Sequence, residues 1–249
     1  MLRSSFRQCA YVSWDKFSLE RGLFVLQAKW RGRGSEFNAY TRSLPTRVQA
    51  MAACTIRGLK KIGVQCNFPK VYKPSLKVPS PPGNSISVCL GSLYRLKELS
   101  LVKVKEFLRF AIDELAPSSI FLLGDQNKWD DGEKLRMEFP NAQVVNRCGK
   151  TTLTEAAGLL STSRFALAND SALAHLCEAV GTPVLMFFGP THSCFGYAPH
   201  LDRSLHFSTD LSCRPCHKNG NTQCRFHDEL CKTTVDLKPV FTHAKLLFG

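Results

Sequence analysis

The sequence predicts an α/β fold built on a parallel, doubly wound sheet. Three observations carry this. Five apolar runs of four to seven residues recur between positions 86 and 188. Stretches of helical length separate them, and Gly, Pro, Asn and Asp gather where the runs end. Short buried strands alternating with helices are the pattern of a parallel sheet covered on both faces.

The elements follow in order. Leu44 to Ile62 reads as a helix, because Val48, Met51, Ala52, Ile56 and Leu59 share one face and Gly63 stops it. Pro69, Pro74, Pro79, Pro81, Pro82 and Gly83 then mark a linker near 64–84. This divides the chain into a first domain over 1–80 and a second over 85–249. ISVCLGS (86–92) opens the second domain as a strand. A helix begins at Ser100, with Val104, Phe107, Leu108, Ala111 and Leu115 at spacings of three and four. SIFLLG (119–124) is the next strand, followed by a polar helix to about 138 and the strand QVVN (143–146). Thr152 and Glu155 form a capping box, each able to satisfy a backbone N–H at the start of the following helix. FALA (165–168) and PVLMFF (183–188) complete the five strands.

Composition narrows the function. The chain has 249 residues, 44% hydrophobic and 21% charged, as in ordinary globular proteins. Charged residues or Gly-Pro interrupt its longest apolar stretches, so no segment reads as a bilayer span. The start lacks the apolar core of a secretory signal. It is rich in Arg and Ser, and we read it as a short surface segment rather than a mitochondrial transit peptide. The formal net charge is +13. Residues 1–80 hold 15 basic and three acidic side chains, so nearly all of the excess lies there. An anionic partner would be drawn to that part; a solvated basic face is the alternative.

Of 11 cysteines, Cys9, Cys54, Cys66, Cys89, Cys148, Cys177 and Cys194 are scattered and read as reduced interior residues. The odd total argues against a disulfide framework and for a reducing compartment. Cys213, Cys216, Cys224 and Cys231 cluster, at spacings compatible with a zinc knuckle for which His217 and His227 are spare ligands. Reduced structural thiols or a local disulfide fit the same spacing.

The chemistry concentrates around Asn169-Asp170-Ser171, where one buried strand meets a helix. Ligands of open α/β sheets sit at the carboxyl ends of strands, and the N–H groups of a helix's first turn attract phosphate. Asp170 or Asn169 is expected to cap this helix. Leu173, Leu176, Cys177 and Val180 form its expected buried stripe, leaving Ser171 and His175 on the opposite face. Gly189-Pro190-Thr191-His192, after the next strand, can present groups to the same crevice. Two other motifs fail: Val144 stands where a P-loop ending in Gly149-Lys150-Thr151 needs its first Gly, and Phe37 where a dinucleotide fingerprint from Gly32 needs its third.

SRFALANDSALAHLCEAVGTPVLMFFGPTH resembles the donor-site signature of the ADP-heptose:lipopolysaccharide heptosyltransferases, glycosyltransferase family 9. CGKTTLTEAAGLLSTSR resembles the helix before it, ISVCLGSLYRLKELS the first strand and Lys-bearing loop of the donor domain, and CRPCHKNGNTQCRFHDELC a cysteine tail found in the family. The likeness spans about residues 85–235 and is weaker upstream. It implies a GT-B architecture, with a complete Rossmann-like C-terminal domain for the nucleotide-sugar and a partial N-terminal Rossmann-like domain facing the acceptor.

By motif position, Asp170, Ser171, Ala172 and His175 would contact the ADP-sugar, Ser92 and Lys97 its phosphates, and Asp125 its ribose. The implied reaction is heptosyl transfer from ADP-heptose to the lipopolysaccharide inner core, with no required metal. The acceptor would be an anionic glycolipid met peripherally at the cytoplasmic face of a membrane, and no nucleic acid is implied.

Three departures stand out. The family's opening strand, Gly-Asp turn and helix, which supply the general base, have no counterpart here. The chain is therefore expected to start partway into the N-terminal domain, with transfer impaired and no catalytic residue assigned. Ala172 replaces a Gly, and Lys97-Glu98-Leu99 replaces Lys-Arg-Trp. The competing readings are a non-catalytic ADP-sugar-binding or partner-docking protein, and a basic zinc- and nucleic-acid-binding protein.

Overall fold

A computed structural model describes residue 76 and residues 83–195, 197–216 and 223–249. The expected helix at 44–62 and most of the proline-rich linker lie outside the described residues. Contacts divide the chain into two units, residues 1–73 with 193–200, and residues 74–192 with 201–249. Of the first unit, the described part is 193–195 and 197–200, including a 3₁₀ turn at Ser193–Phe195.

The second unit is a six-stranded sheet. Its elements are β1 (Ser85–Cys89), α1 (Leu101–Phe110, continued by a π turn at Ala111–Leu115), β2 (Ser119–Leu123), α2 (Trp129–Glu138) and β3 (Val144–Asn146). There follow α3 (Leu153–Ser161), β4 (Ser163–Asn169), α4 (Ala172–Ala179), β5 (Val184–Phe187), β6 (Leu205–Phe207), α5 (Leu230–Thr233) and α6 (Lys238–Phe248). The order across the sheet is β3-β2-β1-β4-β5-β6, and every pairing is parallel. Strand order therefore reverses between β1 and β4, which opens a crevice at their carboxyl ends.

Burial explains why the five expected strands were readable. All five residues of β1 and all four of β5 are buried, as a parallel sheet covered on both faces requires. Val88, Ile120, Leu122, Leu167 and Leu185 join Phe107 and Leu108 of α1 in one core. Phe107 meets Phe165 edge-on at 6.4 Å, and Phe110 stacks on Phe241 of α6 at 4.2 Å.

Local signals are obeyed at two helix starts. Ser100 caps α1 by accepting from Lys103 N, and the Thr152–Glu155 capping box is formed in both directions. β6 and α6 were not anticipated. The sixth strand is three residues long at the sheet edge, with Phe207 alone buried. In α6, Val240, Ala244 and Leu247 are buried at helical spacing.

Candidate functional site

The crevice between β1 and β4 is built from three segments: the loop 91–99 after β1, the junction Asn169–Ser171 after β4, and the turn 189–192 after β5. The junction corrects one expectation. Neither Asn169 nor Asp170 caps α4; the N-cap is Ser171, whose side chain makes no capping bond. Both preceding side chains are spent on tertiary contacts instead.

Asp170 is buried, and its Oδ2 lies 2.9 Å from Lys97 Nζ and accepts from Thr191 Oγ1 at 2.9 Å. One carboxylate thus joins the loop after β1 to the turn after β5. A carboxylate oxygen has two lone pairs and an ammonium three protons, so this pairing leaves Lys97 two donors for another acceptor. Asn169, also buried, accepts from Leu99 N at 2.8 Å through Oδ1 and donates to Gly91 O at 3.0 Å through Nδ2.

The loop 91–99 has a second fastening on its far side. Glu98 accepts from Ser92 N at 3.2 Å and from Lys128 Nζ at 2.7 Å, and Lys128 also reaches Asp131 at 3.4 Å. Burial lowers the Lys128 pKa, but the hydrogen bonds and charges of Glu98 and Asp131 outweigh it, leaving it above the ordinary lysine value. Gly91 has φ +80°, and a Cβ there would meet Lys128 Cγ at 2.9 Å, so the stem of Lys128 needs glycine beneath it. Arg95, at the loop's exposed tip, pairs with Glu229.

The turn after β5 is held differently. Arg214 donates to four backbone carbonyls: Phe188 O at 2.7 Å, Thr191 O at 2.9 Å, and those of Gly189 and Thr209. Cys216 N adds a bond to Pro190 O at 3.0 Å. Burial pulls the Arg214 pKa below its ordinary value. A Cβ on Gly189 would stand 2.9 Å from Leu96 O, so the two turns touch at a place with no room for a side chain.

The structure brings Lys97, Asp170 and Thr191 together. Ser171 and His175 are half-buried on α4, and Ala172, its first residue, is exposed. Ala174, Leu176, Cys177 and Glu178 form the buried side of α4; Leu173 and Val180, expected there, are half-buried. Glu178 is buried because its Oε1 accepts from Leu201 N and Ser204 Oγ at 3.0 and 2.9 Å. Ser92 engages Glu98 through its backbone. Asp125 is exposed and caps its own 3₁₀ turn by accepting from Asn127 N at 2.9 Å, apart from the Lys97–Asp170 pair. A cavity of about 400 Å³ lies on the α1 side of the crevice; Gly91, Glu98, Asn169, Lys128 and Lys232 are among its walls, but Asp170 and His175 are not.

Cys213, Cys216, Cys224 and Cys231 are free thiols close enough to feel one another's charge. Cys216 Sγ is 3.1 Å from Cys213 O, and Cys224 Sγ is 3.6 Å from Asp228 Oδ1. Among the described residues no group of three or more Cys, His, Asp or Glu side chains is arranged to hold a metal ion. His217 lies outside the described residues.

Residues 116–227, which include β2 through the Asp170 junction and the turn after β5, match the model of glycosyltransferase family 9 (heptosyltransferase). Over that stretch, somewhat less than half of its length, the chain is similar to family 9 glycosyltransferases. Lipooligosaccharide heptosyltransferase 2 of Haemophilus influenzae is 34% identical over 76 residues, 29% of this chain and 22% of that protein. Among solved structures, the family 9 glycosyltransferase of Veillonella parvula superposes with a TM-score of 0.59 at 15% identity, over 80% of this chain and 60% of that one. An Escherichia coli heptosyltransferase solved with ADP gives 0.53 at 17% identity, over 80% and 56%. At these identities the superpositions establish the fold, as GT-B-type α/β. The chain spans little more than half the length of those solved relatives. No helix among the described residues is long and apolar enough to cross a membrane.

Arg214 is the residue that sequence reasoning missed, and Asn169, expected as a helix cap, has another role. Asn169 sits inside the quoted motif, but its partners are backbone groups 70 and 78 positions away. Arg214 lies between Cys213 and Cys216, and nothing in that local sequence marks its carbonyl partners up to 26 positions away.

Proposed function

We propose that this domain binds an ADP-sugar and that the protein carrying it transfers the heptosyl group to the inner core of lipopolysaccharide. The supporting observation is the Lys97–Asp170–Thr191 cluster at the reversal of strand order, beside the exposed first residue of α4. A Rossmann-like crevice takes nucleotides at this position. Lys97 keeps two donors for a diphosphate, and the first-turn N–H groups of α4 add a favourable dipole of about 0.3–1 kcal/mol. By motif position Ser92, Ser171, Ala172 and His175 would also meet the donor, and Asp125, on the loop after β2, would meet its ribose.

Transfer would proceed by displacement at the anomeric carbon. The bond from that carbon to the diphosphate oxygen breaks as the bond to the acceptor hydroxyl oxygen forms. The departing ADP carries the electron pair and gains charge that Lys97 and the α4 dipole stabilise. The acceptor's proton passes to a base that we assign to no described residue. The anionic glycolipid would be drawn to the basic residues 1–80 at the cytoplasmic membrane surface.

Calorimetric titration with ADP, with UDP and GDP as controls, tests the reading. Saturable binding of ADP, weakened at least about tenfold by Lys97→Ala, is the expected result. A folded protein that takes no ADP would remove the donor site from consideration. Turnover with ADP-heptose and an inner-core acceptor separates binding from transfer.

A further inference from the structure

We infer that Asn169 is a positioning residue for Lys97, its side-chain amide stapling both ends of the loop that carries the lysine. The inference rests on the reading above, in which Lys97 meets the donor's diphosphate.

The loop leaves the sheet at Gly91 and rejoins ordered structure at Leu99, one residue before the cap of α1. An Asn amide offers one acceptor oxygen and a donor nitrogen, the same pair a neighbouring strand would supply. Here the oxygen takes the N–H of Leu99 and the nitrogen gives to the carbonyl of Gly91. The loop's entry and exit are therefore held by one buried side chain at the last position of β4, a strand paired on both edges. Within the loop, Lys97 N bonds Tyr94 O at 2.9 Å and Glu98 N bonds Arg95 O at 3.1 Å, so fixing the ends fixes a short 3₁₀ turn with Lys97 in it.

The next residue completes the arrangement. Asp170 receives the Lys97 ammonium at 2.9 Å, so consecutive side chains hold the loop's base and its working charge. Aspartate at 169 could accept from Leu99 but could not, ionised, donate to Gly91. That explains why Asn stands at this position and Asp at the next. With the loop fastened before the ligand arrives, little ordering remains to oppose binding.

A double-mutant cycle on the full chain, read by ADP calorimetry, tests the role. Asn169→Ala is expected to weaken ADP binding about tenfold in the wild-type background, the loss of two buried hydrogen bonds. In a Lys97→Ala background the same substitution should change affinity less than about twofold, because its route to the ligand has gone. Amide exchange should show protection lost at Leu99 N–H while β4 and β5 keep theirs.

Equal losses in both backgrounds, or no loss in either, would overturn the positioning role while leaving the donor site standing. A wild-type chain that binds no ADP would sink the donor reading and this inference with it. Should Asn169→Ala fail to fold, Asn169→Asp carries the same cycle, since it removes only the donor to Gly91.

Discussion

The two turns that meet at Asp170 are secured by opposite means. The loop after β1 is tied by a neutral amide, by the half-buried pair Glu98–Lys128 and by the pair of exposed Arg95 with Glu229. The turn after β5 is tied by one half-buried guanidinium that serves four carbonyls. Exposed ion pairs contribute about 0–1 kcal/mol each, whereas a buried carbonyl left without a donor costs about 1–3 kcal/mol. The two turns divide the labour. The turn after β5 belongs to the stability of the domain, and the loop after β1 belongs to the proposed diphosphate contact of Lys97.

The hardest test of that division is Arg214→Ala. It should cost about 3 kcal/mol or more in urea unfolding, with Arg214→Lys recovering only part, because a single ammonium cannot span the same carbonyls. Removing the shared carboxylate charge, Asp170→Asn, should cost about 1–3 kcal/mol of coupling to Lys97, read as a double-mutant cycle with Lys97→Met in thermal melts. Glu98→Gln should shift stability by only about 0.5–1 kcal/mol while raising amide exchange at Ser92, the N–H it covers. If Glu98→Gln destabilised the domain as much as Arg214→Ala, the two turns would not differ as described.

The smallest effect concerns the thiol next to this region. Burial pushes the Cys231 pKa up from 9.0 to about 11. The folded state holds the proton more tightly than the unfolded chain does. Its contribution to stability is thus intact below pH 9 and is lost as the pH rises toward 11. At pH 8, iodoacetamide should leave Cys231 unmodified in the native protein and label it after denaturation, as peptide mass mapping would show.

Most of the sheet was legible in the sequence because burial on both faces leaves strands as unbroken apolar runs, as in VLMF and SISVC. The capping box at Thr152 was legible because its chemistry is complete within four residues. LHF at β6 was not, since three residues, of which Phe207 alone is buried, are too few to show an alternation. The last helix did carry a signal, in Val240, Ala244 and Leu247, that a closer reading of the spacing would have caught.

At the site, Lys97, Asp170 and the turn at Thr191 were each named from the motif. The cap assigned to Asp170 failed for a physical reason. An Asx residue ahead of a helix looks the same whether it serves its own helix or a lysine 73 positions earlier, and only tertiary contact decides. The donors that settle Gly91 and Gly189 were invisible for the same reason.

Arg214 lies 23 residues beyond Thr191 and 26 beyond Phe188. During synthesis, every strand from β1 to β6 is therefore made before the group that shapes the turn after β5 exists. The crevice at the carboxyl ends of β1 and β4 is finished late, after the sheet that frames it, and a nascent chain halted at β6 would possess the platform but not the finished rim.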